Sequence, residues 1–563
     1  MKLRNILLSI LLAAAGAWGA DYFDWNSRTD RYGFPAGYLD STAFPIDENS
    51  TTYMVKNDEN PTGKTYTLGT LYFVDSARAD NSGDGTSLAT AEKTIAAAIA
   101  DAGSGNKTIV VRRGTYFEYN MAIGTGTDDT HRWMIVGYKQ ERPIIDASAN
   151  TDHSIDVFKT SGSARSFATI QRLKIQNNQG QAVRLGTNTT TQRDDWFNLY
   201  DVWIRRCGWY WRGGEDGNCY LLNVDSSRIF HATSEYSYGH TMKVGDGSSN
   251  DIVEWSVSRY AGYFAGMDTN EYWGAHAGNL HIVSDLGVYG VNNVVRYNIL
   301  DTALFDALEL RRAVNYSVHH NEMWGSPQFN NISGAETHGM GVGDNANALV
   351  VMNADSTYGN WYSNVCHDAG KLESGNEAAA IGITAVVNNG ANVTYFFNNL
   401  FYGFNTYTIY QKNQCTNMNF ELYNNTVVDS ASQVSFYLSN ATGTRVLQNN
   451  LIYNMGAGAC VTLGSGYTKN NNLYYYPNGS RGYANPLETG GKETNPNIVT
   501  LPTHGTFIPT YVKFSSPSPA LDSGATVASF ASDIFDKARP QKLAWDIGAY
   551  EYNPKRCLVT IAR

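Results

Sequence analysis

The chain is poor in charge and in cysteine. Only 17% of its 563 residues are charged, and its six cysteines, Cys207, Cys219, Cys366, Cys415, Cys460 and Cys557, are scattered. Such scatter excludes a disulfide framework and leaves no C-x-x-C metal pair, although an oxidising compartment permits a single bridge such as Cys207 to Cys219. The net charge of −10 excludes a general nucleic-acid binder, which needs a basic surface to displace counterions from phosphates. No Gly-rich loop follows a strand and opens a helix, so no nucleotide or organic cofactor is expected. The histidines lack H-x-x-x-H spacing, so no zinc site is expected. Beyond the amino terminus no apolar run is long enough to span a bilayer.

At that terminus Lys2 and Arg4 precede an apolar run from Ile6 to Ala15 and small residues through Ala20. This order of charge, hydrophobe and small residue is that of a secretory signal peptide. The reading assigns residues 1–20 to the signal, starts the mature chain near Asp21, and makes the protein secreted, extracellular or periplasmic.

What the chain has in abundance is a short unit built on asparagine. Its copies include Tyr297-Asn298-Ile299, His320-Asn321-Glu322, Ser363-Asn364-Val365, Asn398-Asn399-Leu400, Asn424-Asn425-Thr426, Asn449-Asn450-Leu451 and Asn471-Asn472-Leu473. Most copies follow one another at roughly 22 to 26 residues, a period that means a solenoid. The intervening segments are short, alternate in polarity and are rich in Val, Ile, Tyr, Phe and Thr, which selects strands over helices. The expectation is an all-β fold, a right-handed parallel β-helix in which stacked turn asparagines satisfy one another along the axis.

An open first rung needs a cap. Leu71 to Asp75 reads as a strand, Asp80 to Ser87 as a loop, and Ala91 to Ala102 as an Ala-rich amphipathic helix ahead of Thr108–Val111 and Arg113-Gly114-Thr115-Tyr116. This strand, D-x-x-x-D-G loop, A-x-K-T-I helix and R-x-G-T-Y turn resemble the N-terminal cap and first rung of pectate-lyase-like β-helix proteins. Ser516 to Gly524, Asp536 to Pro540 and Asp546 to Tyr552 resemble the closing segment of secreted bacterial members. The chain therefore divides into an N-terminal extension over 21–66, a β-helix domain over 67–552 and a tail over 553–563.

Alternation fixes which side chains leave the core. In Thr241–Val244, Met242 and Val244 point inward and Lys243 outward; in Leu308–Arg311 the leucines point inward and Glu309 and Arg311 outward; in Ala182–Leu185, Arg184 is outward. Placed on one face, two to three rungs apart, Arg184, Lys243, Glu309 and Arg311 form a strip along the axis. Cations at rung spacing on an acidic protein fit a polyuronate, which presents one carboxylate per sugar. Aromatics in the same region, among them Trp211, Tyr236 and Trp273, are candidates for stacking on sugar rings. The stretch Asp268 to Asp285, with Glu271, His276 and His281, reads as an inserted loop over the groove.

The segment His240-Thr241-Met242-Lys243-Val244-Gly245, with Asn250 and Val253, resembles the rung that bears the lysine base in family 9 pectate lyases. That resemblance implies β-elimination with Lys243 as base. Arg311 then neutralises the substrate carboxylate, and His240 or Tyr238 protonates the leaving oxygen. The chain departs from that family in lacking a cluster of aspartates before the lysine. An oxygen-rich set of Asp225, Glu235, Asp306 and Glu309 is the alternative place for Ca²⁺, and a metal-free site using His240, Tyr238 and Arg311 is the competing version. The expected partner is an acidic polysaccharide such as pectate or alginate, bound by a monomer. Two other classes stay open: a glycoside hydrolase using Asp306 and Glu309, which would face opposite ways on a strand unless a turn intervenes, and a non-catalytic carbohydrate-binding surface protein.

Overall fold

A computed structural model describes residues 46–55, 64–139, 141–160, 166–186, 194–208, 217–237, 239–261, 278–284, 288–301, 303, 306–324, 348–353, 357–367, 379–384, 392–404, 406–411, 419–429, 433–439, 445–483, 486–500, 512–515 and 517–552. The expected signal peptide and tail lie outside these residues. So do Tyr238, Trp211 and Trp273.

Among the described residues, three long sheets hold 16, 14 and 12 strands, and every strand pair within them is parallel. One coil runs Arg228–Phe230 in the first sheet, Thr233–Ser237 in the second and Met242–Gly245 in the third. The next runs Ile252–Glu254, Val257–Ala261 and Leu280–Val283, and the one after it Val294–Arg296, Ile299–Asp301 and Leu308–Arg311. The fold is thus a parallel β-helix, and one continuous core of Val, Ile, Leu and Phe fills its interior.

The asparagine unit is the two-residue turn from the first sheet to the second. Its first residue lies in the left-handed region, at φ 56° for Asn398, 51° for Asn424 and 58° for Asn449, a conformation asparagine tolerates better than most residues. Its second residue points inward and stacks. Asn425 Oδ1 accepts from the backbone N–H (3.1 Å) and Nδ2 (2.9 Å) of Asn399, while its own Nδ2 donates to Asn450 Oδ1 (2.9 Å) and Phe396 O (2.9 Å). The same pattern joins Asn298, Asn321, Asn364, Asn399, Asn425, Asn450 and Asn472. The outward asparagines Asn398, Asn424 and Asn449 donate instead to Ser532, Asp546 and Ala525 carbonyls, which fastens the C-terminal segment to the coils.

The helix Ile95–Ala102 buries Ile95, Ala98 and Ala102 against the first coil. Thr94 caps it, and Glu118, reaching from the first coil, accepts from Ile95 N and Ala96 N (2.8 Å each). A hairpin of Thr52–Val55 and Lys64–Thr67 packs on the outer face of the first sheet. Cys207 and Cys219 are both buried free thiols, so the bridge that their spacing permits is not formed. Burial alone pushes the Cys219 thiol up to about 12, which makes it an unreactive core residue.

Candidate functional site

Three neighbouring strands of the third sheet build the site: Met242–Gly245, Leu280–Val283 and Leu308–Arg311. Met242, Val244, Leu280, Ile282, Leu308 and Leu310 fill the core, so the residues between them face the other way. Register then aligns them: Arg184 lies opposite Tyr220, Tyr220 opposite Lys243, Lys243 opposite His281, and His281 opposite Glu309. Arg184, Lys243 and Glu309 thus occupy one row, two rungs apart. The centre of the row is shielded, with Lys243, His281 and Glu309 at 2%, 1% and 2% exposure. Arg311, two residues beyond Glu309, keeps 25% of its side chain exposed and is the accessible edge of the cluster.

His281 is the residue that sequence reasoning misplaced. It belongs to a strand and not to an overhanging loop; Glu271 and His276 lie outside the described residues. Its Nε2 is 3.0 Å from Asp306 Oδ1 and its Nδ1 is 3.1 Å from Glu309 Oε2. Burial works against a charged imidazole, but the two carboxylates outweigh it and lift His281 to about 9. At neutral pH the ring is therefore a cation fixed in the row between Lys243 and Glu309. Glu309 is shared, since Arg311 Nε lies 3.5 Å from its Oε1.

Asp306 precedes the strand rather than lying in it, and the intervening turn brings it to the same side as Glu309. Asn279 fixes the approach, its N–H donating to the Asp306 carbonyl at 3.0 Å. Gly278 leaves room for the pair: a Cβ there would stand 2.1 Å from His281 Nε2 and 2.3 Å from Asp306 Oδ1. His240 completes the cluster, with its ring centroid 3.7 Å from that of His281 and its Nδ1 accepting from Gly278 N at 3.4 Å. That bond assigns the proton of a neutral His240 to Nε2. Tyr220, unremarked in the sequence, faces Lys243, whose Nζ is 5.7 Å from the phenol ring centre.

Other expected site residues lie elsewhere. Glu235 is on the second sheet, fully buried between Arg205 (3.3 Å) and Arg259 (2.8 Å), and accepts from Trp203 Nε1 at 3.1 Å. Asp225 is on the first sheet and accepts from Ser226 Oγ (2.8 Å) and Asn250 Nδ2 (3.0 Å). Tyr236 is on the second sheet, stacked on Tyr260 at 4.6 Å with the Arg205 guanidinium 4.9 Å from its ring centre. The oxygen set considered for calcium is therefore spread over three sheets.

Among the described residues, one His/Cys/Asp/Glu group has ligand atoms close enough for a metal: His281, Asp306 and Glu309, all within 4.8 Å. One imidazole nitrogen and two carboxylates beside Arg311 do not fit calcium, which takes roughly six to eight oxygen ligands.

No family model matches the chain, and no curated protein matches it. Solved structures do. The crystal structure of pectate lyase Pel9A aligns over 87% of this chain and 98% of its own at 12% identity and a TM-score of 0.42. The complex of XylC with xylose aligns over 86% and 98% at 8% identity and 0.46. PfbA, a surface adhesin of Streptococcus pneumoniae, aligns over 68% and 86% at 14% identity and 0.43. Likenesses at this level say nothing about activity.

Proposed function

We propose that the protein is a secreted polysaccharide lyase that cleaves a uronate-containing polysaccharide, of the pectate or alginate kind, by β-elimination. The observation that carries this reading is the alignment of Lys243 with a buried imidazolium, His281, in one outward row, with Arg311 at its edge. β-Elimination from a uronate needs a base for the C5 proton, fixed positive charge at the adjoining carboxylate, and a proton donor for the departing oxygen.

In this assignment Lys243 Nζ removes the C5 proton. The freed pair forms the C4–C5 double bond as the C4–O bond breaks, and His240, carrying its proton on Nε2, is the donor to the leaving oxygen. Arg311 faces the carboxylate and stabilises the negative charge that grows on it. Because the calcium set is dispersed, the metal-free version of the site is preferred and no step runs through an ion. The glycoside-hydrolase alternative is disfavoured by one feature: Asp306 and Glu309 both grip the His281 ring, so a sugar cannot lie between them as that mechanism requires.

The test is incubation of the mature protein with a panel of polyuronates while ultraviolet absorbance of the unsaturated product is followed. A rise on any polymer supports the lyase. New reducing ends without absorbance make it a hydrolase, and neither signal makes it a binding protein.

A further inference from the structure

The row that holds Lys243 does not stop at the buried cluster. Toward the amino-terminal end, register carries it from Lys243 through Tyr220 and Arg184 to Lys159, and Arg184 and Lys159 are both half-buried. Toward the other end it passes from Glu309 through positions 351 and 382 to Tyr410 and then Tyr437, again half-buried. Tyr410 and Tyr437 have ring centroids 5.4 Å apart, and Tyr407 packs 4.5 Å from Tyr410. No Lys or Arg occupies the row from Glu309 to Tyr437.

The two ends differ in chemistry. Lys159 lies three rungs from Lys243, about 14 Å, and Tyr410 five rungs away on the other side, about 24 Å. Sugars of an extended polysaccharide advance by about one rung each, so the row from Lys159 to Tyr437 spans a segment of about ten sugars. At the lysine–arginine end the outward-facing, half-buried groups are cations, which recognise carboxylates. At the tyrosine end they are aromatic, which recognises the apolar face of a sugar ring whatever charge the ring carries.

We propose that this row is a two-ended binding groove: acidic sugars lie against Lys159 and Arg184, while neutral or esterified sugars lie against Tyr410 and Tyr437. Resting on the lyase reading, it names the substrate as a polymer in which an acidic block adjoins an uncharged one, and makes attack internal to the chain.

The experiment uses the full mature chain carrying Lys243→Ala, so that binding is read without turnover. Affinities are measured by calorimetry for decasaccharides of galacturonate and of mannuronate, each fully acidic or methyl-esterified on one half. Adding Lys159→Ala and Arg184→Ala is expected to weaken binding of every acidic ligand about tenfold, with the loss fading as salt rises. Adding Tyr410→Ala and Tyr437→Ala is expected to weaken the half-esterified ligand about tenfold at any salt, with Phe at both positions restoring affinity. Unchanged affinity in the tyrosine variant, or a preference for the fully acidic decasaccharide over its half-esterified form, overturns the proposal. Circular dichroism of each variant separates lost binding from lost fold. Wild-type turnover is assayed separately: two-ended binding without unsaturated product sinks the lyase alone, whereas turnover with silent tyrosines sinks the groove alone.

Discussion

His281 stands between two carboxylates, its Nε2 3.0 Å from Asp306 and its Nδ1 3.1 Å from Glu309, in a pocket that leaves the ring 1% exposed. Two buried anions share one cation. Removing the cation takes a partner from each, Glu309 keeping Arg311, and removing one anion leaves a weaker hold on the proton.

A pH dependence of stability follows. His281 ordinarily titrates near 6.5 and is lifted to about 9 in the fold, so the folded state binds its proton more tightly than the unfolded chain. The stabilisation is fully present below about 6.5 and is lost as pH rises through about 9. Its size is on the order of 3 kcal/mol. Denaturant midpoints measured from pH 6 to 10 should fall across that window, and His281→Gln should flatten the profile; a wild-type profile that stays flat disproves the ion-pair assignment.

Gly278→Ala tests the same cluster from the backbone side. The added methyl would meet His281 Nε2 and Asp306 Oδ1 at 2.1 and 2.3 Å, so the pair must separate. A loss of about 1–3 kcal/mol is expected, as for other overpacked sites, and the alkaline fall in stability should move to lower pH because His281 loses one partner. Unchanged denaturation and an unchanged pH profile would show that the strand can shift to accommodate the methyl.

How far the sequence reveals this depends on the residue. The asparagine turns are legible because each repeats two demands at a fixed spacing, a left-handed residue and then an inward amide. The Arg184–Lys243–Glu309 row is legible because each of these residues sits between inward aliphatics. His281 has the same signature, between Leu280 and Ile282, but a preceding stretch without rung rhythm obscures it. Glu235 fails for a different reason: eight residues before Lys243 in the chain is the preceding strand of the same coil, on another sheet. Asp306 and Glu309 meet because Asp306 lies ahead of its strand, where alternation does not apply.

The ladder makes its own prediction. Asn425→Leu leaves Asn399 and Asn450 without their shared amide and the Phe396 carbonyl without a donor, at roughly 3 kcal/mol or more. Asn424→Gly, one residue earlier, keeps the left-handed turn and loses its bonds to the Asp546 and Gly548 carbonyls and the one it accepts from Asn449 Nδ2, so it should cost about 1–2 kcal/mol. Urea unfolding of the two variants should separate them clearly; equal losses would mean that the ladder contributes no more than the C-terminal strap.

Chelation addresses the metal question. With Glu235 held by two arginines and Asp225 on another sheet, the described carboxylates do not assemble an oxygen cage beside Lys243. Turnover on the responsive polyuronate should therefore be unchanged after dialysis against a calcium chelator. A chelator-sensitive rate that calcium restores would return the site to calcium-assisted chemistry.

Lysine 243 admits two roles, and two substitutions tell them apart. A base must shed its proton before it can accept one, whereas a carboxylate-binding group need only stay charged. Lys243→Ala removes both capacities. Lys243→Arg keeps the charge and loses the base, because a guanidinium does not deprotonate in proteins. If Lys243 is the base, both variants should lose about 10³-fold in kcat while Lys243→Arg keeps a near-native KM. If Lys243 only holds the substrate carboxylate, Lys243→Arg should keep most of kcat. In that case the proton must go to another group of the cluster. His281 is poorly suited, being already protonated and held by two carboxylates. His240, 3.7 Å from it ring to ring, would be the group to substitute next.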